Sequence, residues 1–326
     1  DPVCALVLDV HGHGMLTAAR AALDGGASWL GVSCAEEAQA LRQAGIDAPV
    51  LITGWCHPRL AAELIAAGVD LTVYDADTLD AAIAGARQAG RTADVHLKVD
   101  TGMTRLGAGA DAVADLCTAL AAGRRSVRLR GIFTHFAVAE DDDAFTAEQN
   151  EGLLRAVDCA RQLAPDALVH AANSAAMMSS PHTWHDLVRA GIAVYGYPPI
   201  VTTVALRPAM TVVARVTQLR TVTRGDTVGY GRTWRAQRPT RVATVAAGYA
   251  DGVMRSLSNR GAALVGGRRA PMVGRVSMDQ VTLDVSNVDG VSAGDVAVLF
   301  GVRDGARLDA AEVAEMAGTI ANEVIC

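Results

Sequence analysis

A chain of 326 residues, 51% of them hydrophobic, with a formal net charge of −6, is long enough for two domains and has the composition of an ordinary globular protein. The acidic balance, with no basic run against it, argues against a nucleic-acid surface. No apolar stretch reaches membrane-spanning length without a charge or a turn signal, so no membrane partner is expected.

Strand-like runs recur at 5–8, 29–32, 50–53, 71–74, 95–99, 129–134, 168–171 and 192–195. Between most of them lie Ala/Leu-rich helical stretches, such as 15–23, 35–43, 58–67 and 80–88. Strands separated by helical patterns mean βαβ units and a parallel sheet. About eight such units favour a (β/α)8, TIM-like barrel over an open doubly wound sheet. In a barrel, functional residues sit at the C-terminal ends of strands. Asp9, Lys98, His135 and Asn173 fall in or just after such runs, and Arg189 just before one.

After about Leu206 the pattern changes to short β-branched runs at 212–215, 221–222, 241–245, 263–265, 272–276, 281–285 and 296–300. Turns such as Arg224-Gly225-Asp226 and Val265-Gly266-Gly267 separate them, which predicts a C-terminal all-β domain. A last helix is expected from Asp309 to about Met316. Residues 1–200 are therefore read as the barrel and 201–326 as the β domain, with a short connection at Pro198-Pro199. Cys4, Cys34, Cys56, Cys117, Cys159 and Cys326 are scattered, with no C-x-x-C pair, and read as small core residues kept reduced. Asp1-Pro2-Val3 does not read as a signal peptide, and a cytoplasmic enzyme is expected.

The most informative stretch is Ala5-Leu6-Val7-Leu8-Asp9-Val10-His11-Gly12-His13-Gly14. On its own it reads as a buried strand entering a tight glycine turn, with a helix from Met15. It resembles the cofactor-lysine motif of alanine racemases, Ala-Val-Val-Lys-Ala-Asp-Ala-Tyr-Gly-His-Gly, with one residue missing between Val7 and Leu8. That residue is the lysine. A true one-residue deletion inside a buried strand would flip every earlier side chain to the other face. The simpler reading is that a lysine carrying pyridoxal 5′-phosphate (PLP) as a Schiff base, a non-standard residue, is missing from the sequence as written. The other is a degenerate relative without the lysine.

The resemblance covers essentially the whole chain. Against the family, a further strand and helix before the motif and a basic closing segment after Cys326 have no counterpart in the sequence. The resemblance implies a fold-type III, PLP-dependent amino-acid racemase working as a homodimer, with no metal. Leu97-Lys98-Val99-Asp100-Thr101-Gly102-Met103-Thr104-Arg105-Leu106-Gly107 is its most specific run. By itself it is a strand, a glycine turn and a solvated arginine, but a lysine on an apolar strand needs a partner because an isolated buried ammonium is costly. In the family this lysine is often carbamylated, and the resulting anion orients the arginine. Arg105 then matches the group that contacts the substrate carboxylate and the cofactor hydroxyl.

His135, which ends Gly131-Ile132-Phe133-Thr134-His135, reads as a core histidine or as a group acting beside the site. Ser174, at an expected helix start, is a plain N-cap or the family's phosphate-binding serine. Gly191 and Ile192 resemble backbone phosphate contacts. Arg189 resembles the arginine that bonds the pyridine nitrogen, its alternative being a solvated surface residue. A guanidinium does not give up its proton, so the ring nitrogen would stay unprotonated and the ring a poor electron sink. In the second domain, Val228-Gly229-Tyr230-Gly231-Arg232 and Ala247-Gly248-Tyr249-Ala250-Asp251 match strongly. Tyr230 resembles the catalytic base opposite the lysine, with His135 bridging it to Arg189. Tyr249 joins the cofactor-binding set, and Met278 and Asp279 the substrate-binding set. Tyr230 and Met278 would enter from the partner subunit. Two positions depart: His11 and Asn322 stand where the family has phosphate-binding tyrosines. The smaller Asn322 leaves room for a hydroxymethyl group, so serine is the alternative substrate to alanine. A non-catalytic PLP carrier on the same barrel would lack the β domain and the Tyr230 motif.

Overall fold

The structure, a computed structural model, describes residues 3–7 and 12–326; within the first strand it describes the side chain of Cys4 alone. Two compact units divide the chain, the first ending at Arg207 and the second covering Pro208–Cys326.

In the first unit β1 (Val3–Val7), β2 (Trp29–Val32), β3 (Val50–Ile52), β4 (Val69–Val73), β5 (Ala93–Lys98), β6 (Val127–Phe133), β7 (Leu168–His170) and β8 (Leu187–Ala190) form a closed parallel barrel in sequence order. Closure is made by β1, which pairs with β2 through Leu6 and Leu30 and with β8 through Leu6 and Ala190. A helix follows each of the first seven strands: α1 (Met15–Asp24), α2 (Ala35–Gln43), α3 (Ala61–Ala66), α4 (Ala76–Ala89), α5 (Val113–Gly123), α6 (Asp143–Leu163) and α7 (Ser174–Ser179). Helix α4 shows how the sequence sets its ends. The Asp75 carboxylate accepts the Thr78 N–H at 2.8 Å, the Thr78 hydroxyl accepts the Asp75 N–H at 3.1 Å, and Gly90 stops the helix at φ 63°.

Strand side chains alternate between the helices outside and the barrel interior. Leu30, Val32, Val50, Ile52, Leu71, Val73, Val95 and Leu97 pack in the core shared with the helices, whereas Trp29, Leu51 and Leu187 form a separate cluster. Strands buried on both faces are normally apolar throughout. Here Asp70, Thr72, His96, Lys98, His170 and Arg189 occupy alternate positions and are buried.

The eighth strand, expected at 192–195, lies instead at Leu187–Ala190; Ile192–Tyr195 is a 3-10 turn. Gly191, at φ −123° and ψ −106°, turns the chain out of the strand before that apolar run begins. Similarly, the helix expected at 58–67 opens as a 3-10 turn, Pro58–Leu60, where the His57 ring accepts the Arg59 N–H.

The second unit is built on a seven-stranded antiparallel sheet. Its strands are β9 (Val212–Val222), β12 (Thr240–Val245), β13 (Ala262–Val265), β14 (Arg268–Pro271), β15 (Val281–Asp284), β16 (Val296–Arg303) and β17 (Ala306–Leu308); β10 (Thr227–Val228) and β11 (Trp234–Arg235) form a separate ribbon. The main order is β14-β13-β16-β9-β12-β15, with β17 on β16. The two runs at 212–215 and 221–222 are ends of one strand of 11 residues, because one stretch of β9 pairs with β16 and the other with β12. No strand forms at 272–276, where Met272 makes only a bridge to Leu283. Gly266 and Gly267, at φ 55° and 73°, make the tight turn of the β13–β14 hairpin. Helix α8 (Ala310–Ala317) starts on an Asp309 cap and ends at Gly318, and a short α9 (Ala321–Val324) follows. Among the described residues no helix is long and apolar enough to cross a membrane.

Candidate active site

The ends of the barrel strands bring together one set of candidate residues. Arg189 is on β8 itself, not ahead of a strand, and points inward with only 4% of its surface exposed. Its Nη1 donates to His170 Nδ1 at 3.0 Å. Its Nη2 lies within reach of the carbonyls of Thr134 (2.7 Å) and Ala171 (2.8 Å) and of His135 Nδ1 (3.1 Å). Burial pulls its pKa down to about 9, which still leaves it charged at neutral pH. A guanidinium has five N–H groups; the Nε–H and the second Nη1–H make no hydrogen bond among the described residues.

Ser174 follows β7 as the first residue of α7 and is buried. The N-cap is Asn173, whose side chain accepts the Ala176 N–H at 3.0 Å, so the plain-cap alternative for Ser174 does not apply. The Ser174 hydroxyl instead receives the N–H groups of Gly191 (2.9 Å) and Ala193 (3.3 Å). Backbone donors from the turn after β8 thus converge on one hydroxyl.

Lys98 ends β5 with 6% of its surface exposed. Its ammonium donates to the Thr53 carbonyl at 3.3 Å and lies 5.3 Å from the centre of the Phe133 ring. Among the described residues no carboxylate forms an ion pair with it. Burial first, then the charges of Arg189 and Arg105, outweigh Asp100 and lower its pKa to about 8. Arg105 itself is exposed, on a loop held by Asp100, whose carboxylate accepts the N–H groups of Gly102 and Thr104, both at 3.0 Å. Gly107 (φ 142°) closes that loop, and a Cβ there would stand 2.5 Å from the Asp100 nitrogen.

The second unit carries its own set. Tyr230 sits in a 3-10 turn between Gly229 and Gly231 and is 74% exposed in the single chain; Met278 is 54% exposed and Asp279 is exposed. The Tyr249 and Ala250 N–H groups donate to the carbonyls of Ser277 (3.0 Å) and Met278 (2.9 Å), so the Tyr249 turn and the Met278 turn are held together backbone to backbone. Gly248 permits it: a Cβ there would fall 2.2 Å from the Met278 carbonyl oxygen. Gly248→Ala is expected to displace the Met278 turn, to destabilise the protein by roughly 1–3 kcal/mol, and to lower kcat/KM about a hundredfold. Thermal unfolding and steady-state kinetics on the same preparation check both. Asn322 is half-buried on α9. His11, Asp9 and the Val7–Leu8 junction lie outside the described residues.

Sequence reasoning misses Asp70, His96 and Arg130. Asp70 accepts from His96 at 3.2 Å and from Arg130 at 3.2 Å, all three in the strands of the barrel. The signal for them is polarity at inward positions of otherwise apolar strands, as in Val69-Asp70-Leu71 and Val95-His96-Leu97.

The order of the folds, a closed (β/α)8 barrel followed by an antiparallel-sheet unit, defines a class of two-domain barrel enzymes. The chain belongs to the alanine racemase family: residues 4–199 match the model of the alanine racemase N-terminal domain and residues 209–326 that of the C-terminal domain. It is 41% identical to the alanine racemase of Desulfovibrio desulfuricans over 323 residues, covering 98% of this chain and 86% of that one. The alanine racemase of a D-cycloserine-producing Streptomyces lavendulae superposes with a TM-score of 0.92 at 36% identity, covering 99% of this chain and 87% of that one. The Bacillus anthracis alanine racemase, solved with bound L-Ala-P, gives a TM-score of 0.91 at 34% identity, covering 100% of this chain and 86% of that one. The family is PLP-dependent.

Proposed function

We propose that this chain interconverts L- and D-alanine with PLP as cofactor and with two bases on opposite faces of the α-carbon. The observation that carries the reading is the buried, charged Arg189, with N–H groups to spare beside a convergent backbone cradle, in a chain matched almost end to end by alanine racemases. These residues fit the cofactor. The spare N–H groups of Arg189 suit an unprotonated ring nitrogen, which accepts and does not donate. The Ser174 hydroxyl would donate to the phosphate, and the Gly191 N–H that now meets it would turn to the phosphate with Ile192, with Tyr249 and, at the departing positions, His11 and Asn322 completing the cofactor set. PLP supplies electron withdrawal from the α-carbon, so that its proton becomes acidic.

The chain's own residues do the rest. The lysine that the resemblance puts between Val7 and Leu8 serves one face, and the Tyr230 phenol takes or gives the proton on the other. His135 holds Tyr230 in line with Arg189. Arg105 and the Met278 backbone, with Asp279 beside it, hold the substrate carboxylate. The exposure of Tyr230 and Met278 in one chain supports a homodimer in which each subunit completes its partner's site. The two roles are divided between the domains, the barrel read over 1–200 binding PLP and the β domain read over 201–326 serving the partner.

The test is racemisation of alanine and of serine by the PLP-loaded protein and by Asn322→Tyr. Alanine turnover is expected in both. The ratio of serine to alanine kcat/KM is expected to fall in the variant by up to roughly a hundredfold, the margin by which an apolar pocket rejects an added hydroxyl. An unchanged ratio would show that Asn322 does not line the pocket.

Lys98 is buried with its pKa lowered to about 8, which makes it an amine that reacts with CO2. A carbamate there would turn a cation that meets no carboxylate among the described residues into an anion beside Arg105. In 13C-bicarbonate, the carbamate signal is expected to grow as pH rises through about 8, where the amine becomes neutral, and to be missing from Lys98→Arg. The linkage has the same sign. The folded value of about 8 lies below the ordinary 10.5, so between these pH values the unfolded chain holds the extra proton and this group's contribution to stability rises with pH.

A further inference from the structure

A continuous line of hydrogen bonds runs through the barrel interior from Arg189. Its Nη1 donates to His170 Nδ1 at 3.0 Å, His170 Nε2 meets His96 Nδ1 at 2.9 Å, and His96 Nε2 meets Asp70 Oδ2 at 3.2 Å. His96 and His170 have no exposed surface, and Asp70 has 1%. The proton positions follow from the two ends. A guanidinium only donates, so His170 Nδ1 must accept and its proton must be on Nε2. His96 Nδ1 then accepts, and His96 carries its proton on Nε2, facing the Asp70 carboxylate. Both histidines are neutral, and every bond points the same way, from the Arg189 cation to the Asp70 anion.

Two features of the fold are fitted to this line. The β5–β6 register shifts between Val95 and His96, and Gly131 stands opposite the ring: a Cβ there would lie 2.4 Å from His96 Nδ1. Arg130 completes the far end, its Nη1 lying 3.2 Å from both Asp70 oxygens.

We propose that Asp70 is a positioning residue for the racemase site, fixing through His96 and His170 the proton arrangement that presents a lone pair to Arg189 and aims its guanidinium. This rests on the reading of Arg189 as the ring-nitrogen partner. The charged and titratable groups around the line include Arg189 on β8 with His135 against it, Lys98 on β5, Arg130 on β6 with Asp94 3.8 Å from it, and His185; burial and the Arg189 charge, ahead of His96, His185 and Lys98, hold His170 neutral well below the usual imidazole value.

Asp70→Asn tests the idea at nearly constant volume. Its amide oxygen would turn to the Arg130 donor and its NH2 to His96. That would reverse the line and drive a His170 N–H against Arg189. Histidine-selective 15N labelling reads the protons directly. The holoenzyme is expected to show each ring with its proton on Nε2. Asp70→Asn is expected to move the His96 proton to Nδ1 and to lower kcat about tenfold to a hundredfold with little change in KM, with the pH profile displaced. Gly131→Ala, which moves the ring without changing a charge, is expected to reproduce the kcat loss, and the double variant to add nothing further. A wild-type proton on Nδ1 of either ring overturns the proposal. So does an Asp70→Asn protein with unchanged tautomers and pH profile. A wild type with the expected proton pattern but no racemisation refutes the functional reading and leaves the proton line standing.

Discussion

Tyr230→Phe is expected to lower racemisation by about 10²–10⁴-fold, the range lost when a positioned acid–base group is removed, and to leave the fold unchanged. The stability half follows from exposure: with 74% of the residue exposed in the chain, its hydroxyl is no part of the chain's own packed interior. The turn that presents it is set by Gly229 and Gly231, at φ 72° and 71°, which the substitution does not touch. The chemical half is face-specific. Without the phenol, only the base on the opposite face still exchanges the α-proton. One enantiomer of alanine is therefore expected to keep incorporating solvent deuterium without inverting. Mass spectrometry with chiral separation in D2O distinguishes exchange from inversion. Equal loss of exchange for both enantiomers would mean that Tyr230 is not the base of one face, and full racemisation would remove it from the chemistry.

Arg189→Leu is expected to be the most destabilising substitution at the strand ends. Leucine leaves His170 Nδ1, His135 Nδ1 and the carbonyls of Thr134 and Ala171 without the donor they now share. Buried acceptors left without a donor in the barrel interior are expected to cost on the order of 3–5 kcal/mol. Denaturant unfolding of the cofactor-free protein measures it. Arg189→Lys should lose less stability but does not restore the site, because one ammonium cannot span acceptors that a planar fork reaches together. It should also gain a side reaction: the variant's ammonium could give up a proton where Arg189 holds its own, so the residue facing the cofactor's ring nitrogen would no longer keep that nitrogen unprotonated, and transamination is expected to rise. Pyruvate formed per racemisation event is the measurement. A lysine variant with wild-type partitioning would argue against control of the ring by Arg189.

Alternation of strand and helix patterns is enough to read the barrel from the amino-acid sequence, and the change to short β-branched runs is enough to read the second domain. Strand eight escapes because Ile192-Ala193-Val194-Tyr195 is a more strand-like run than Leu187-Val188-Arg189-Ala190, whose arginine reads as solvated until a closed barrel exists to receive it. The long strand β9 reads as two because Thr217, Gln218 and Arg220 look like loop residues, although the strand runs through them without a break. Site residues carried on contiguous motifs, such as Lys98 with Arg105, are legible in the sequence. Asp70 and His96 are not, because 26 residues and a whole helix separate them, and only pairing of β4 with β5 makes them neighbours.

Gly131 makes substitution in this barrel depend on order. A side chain at 131 has nowhere to go while the His96 ring is present, since the first atom it adds falls inside that ring's contact distance. Once position 96 carries something small, the clash with the ring is gone and the same change meets far less resistance. Two lineages could reach the same pair of residues with only one of the two single steps passable. Drift at these positions is therefore expected to be coupled and ratchet-like: a residue that fills the space at 131 bars the return of histidine at 96.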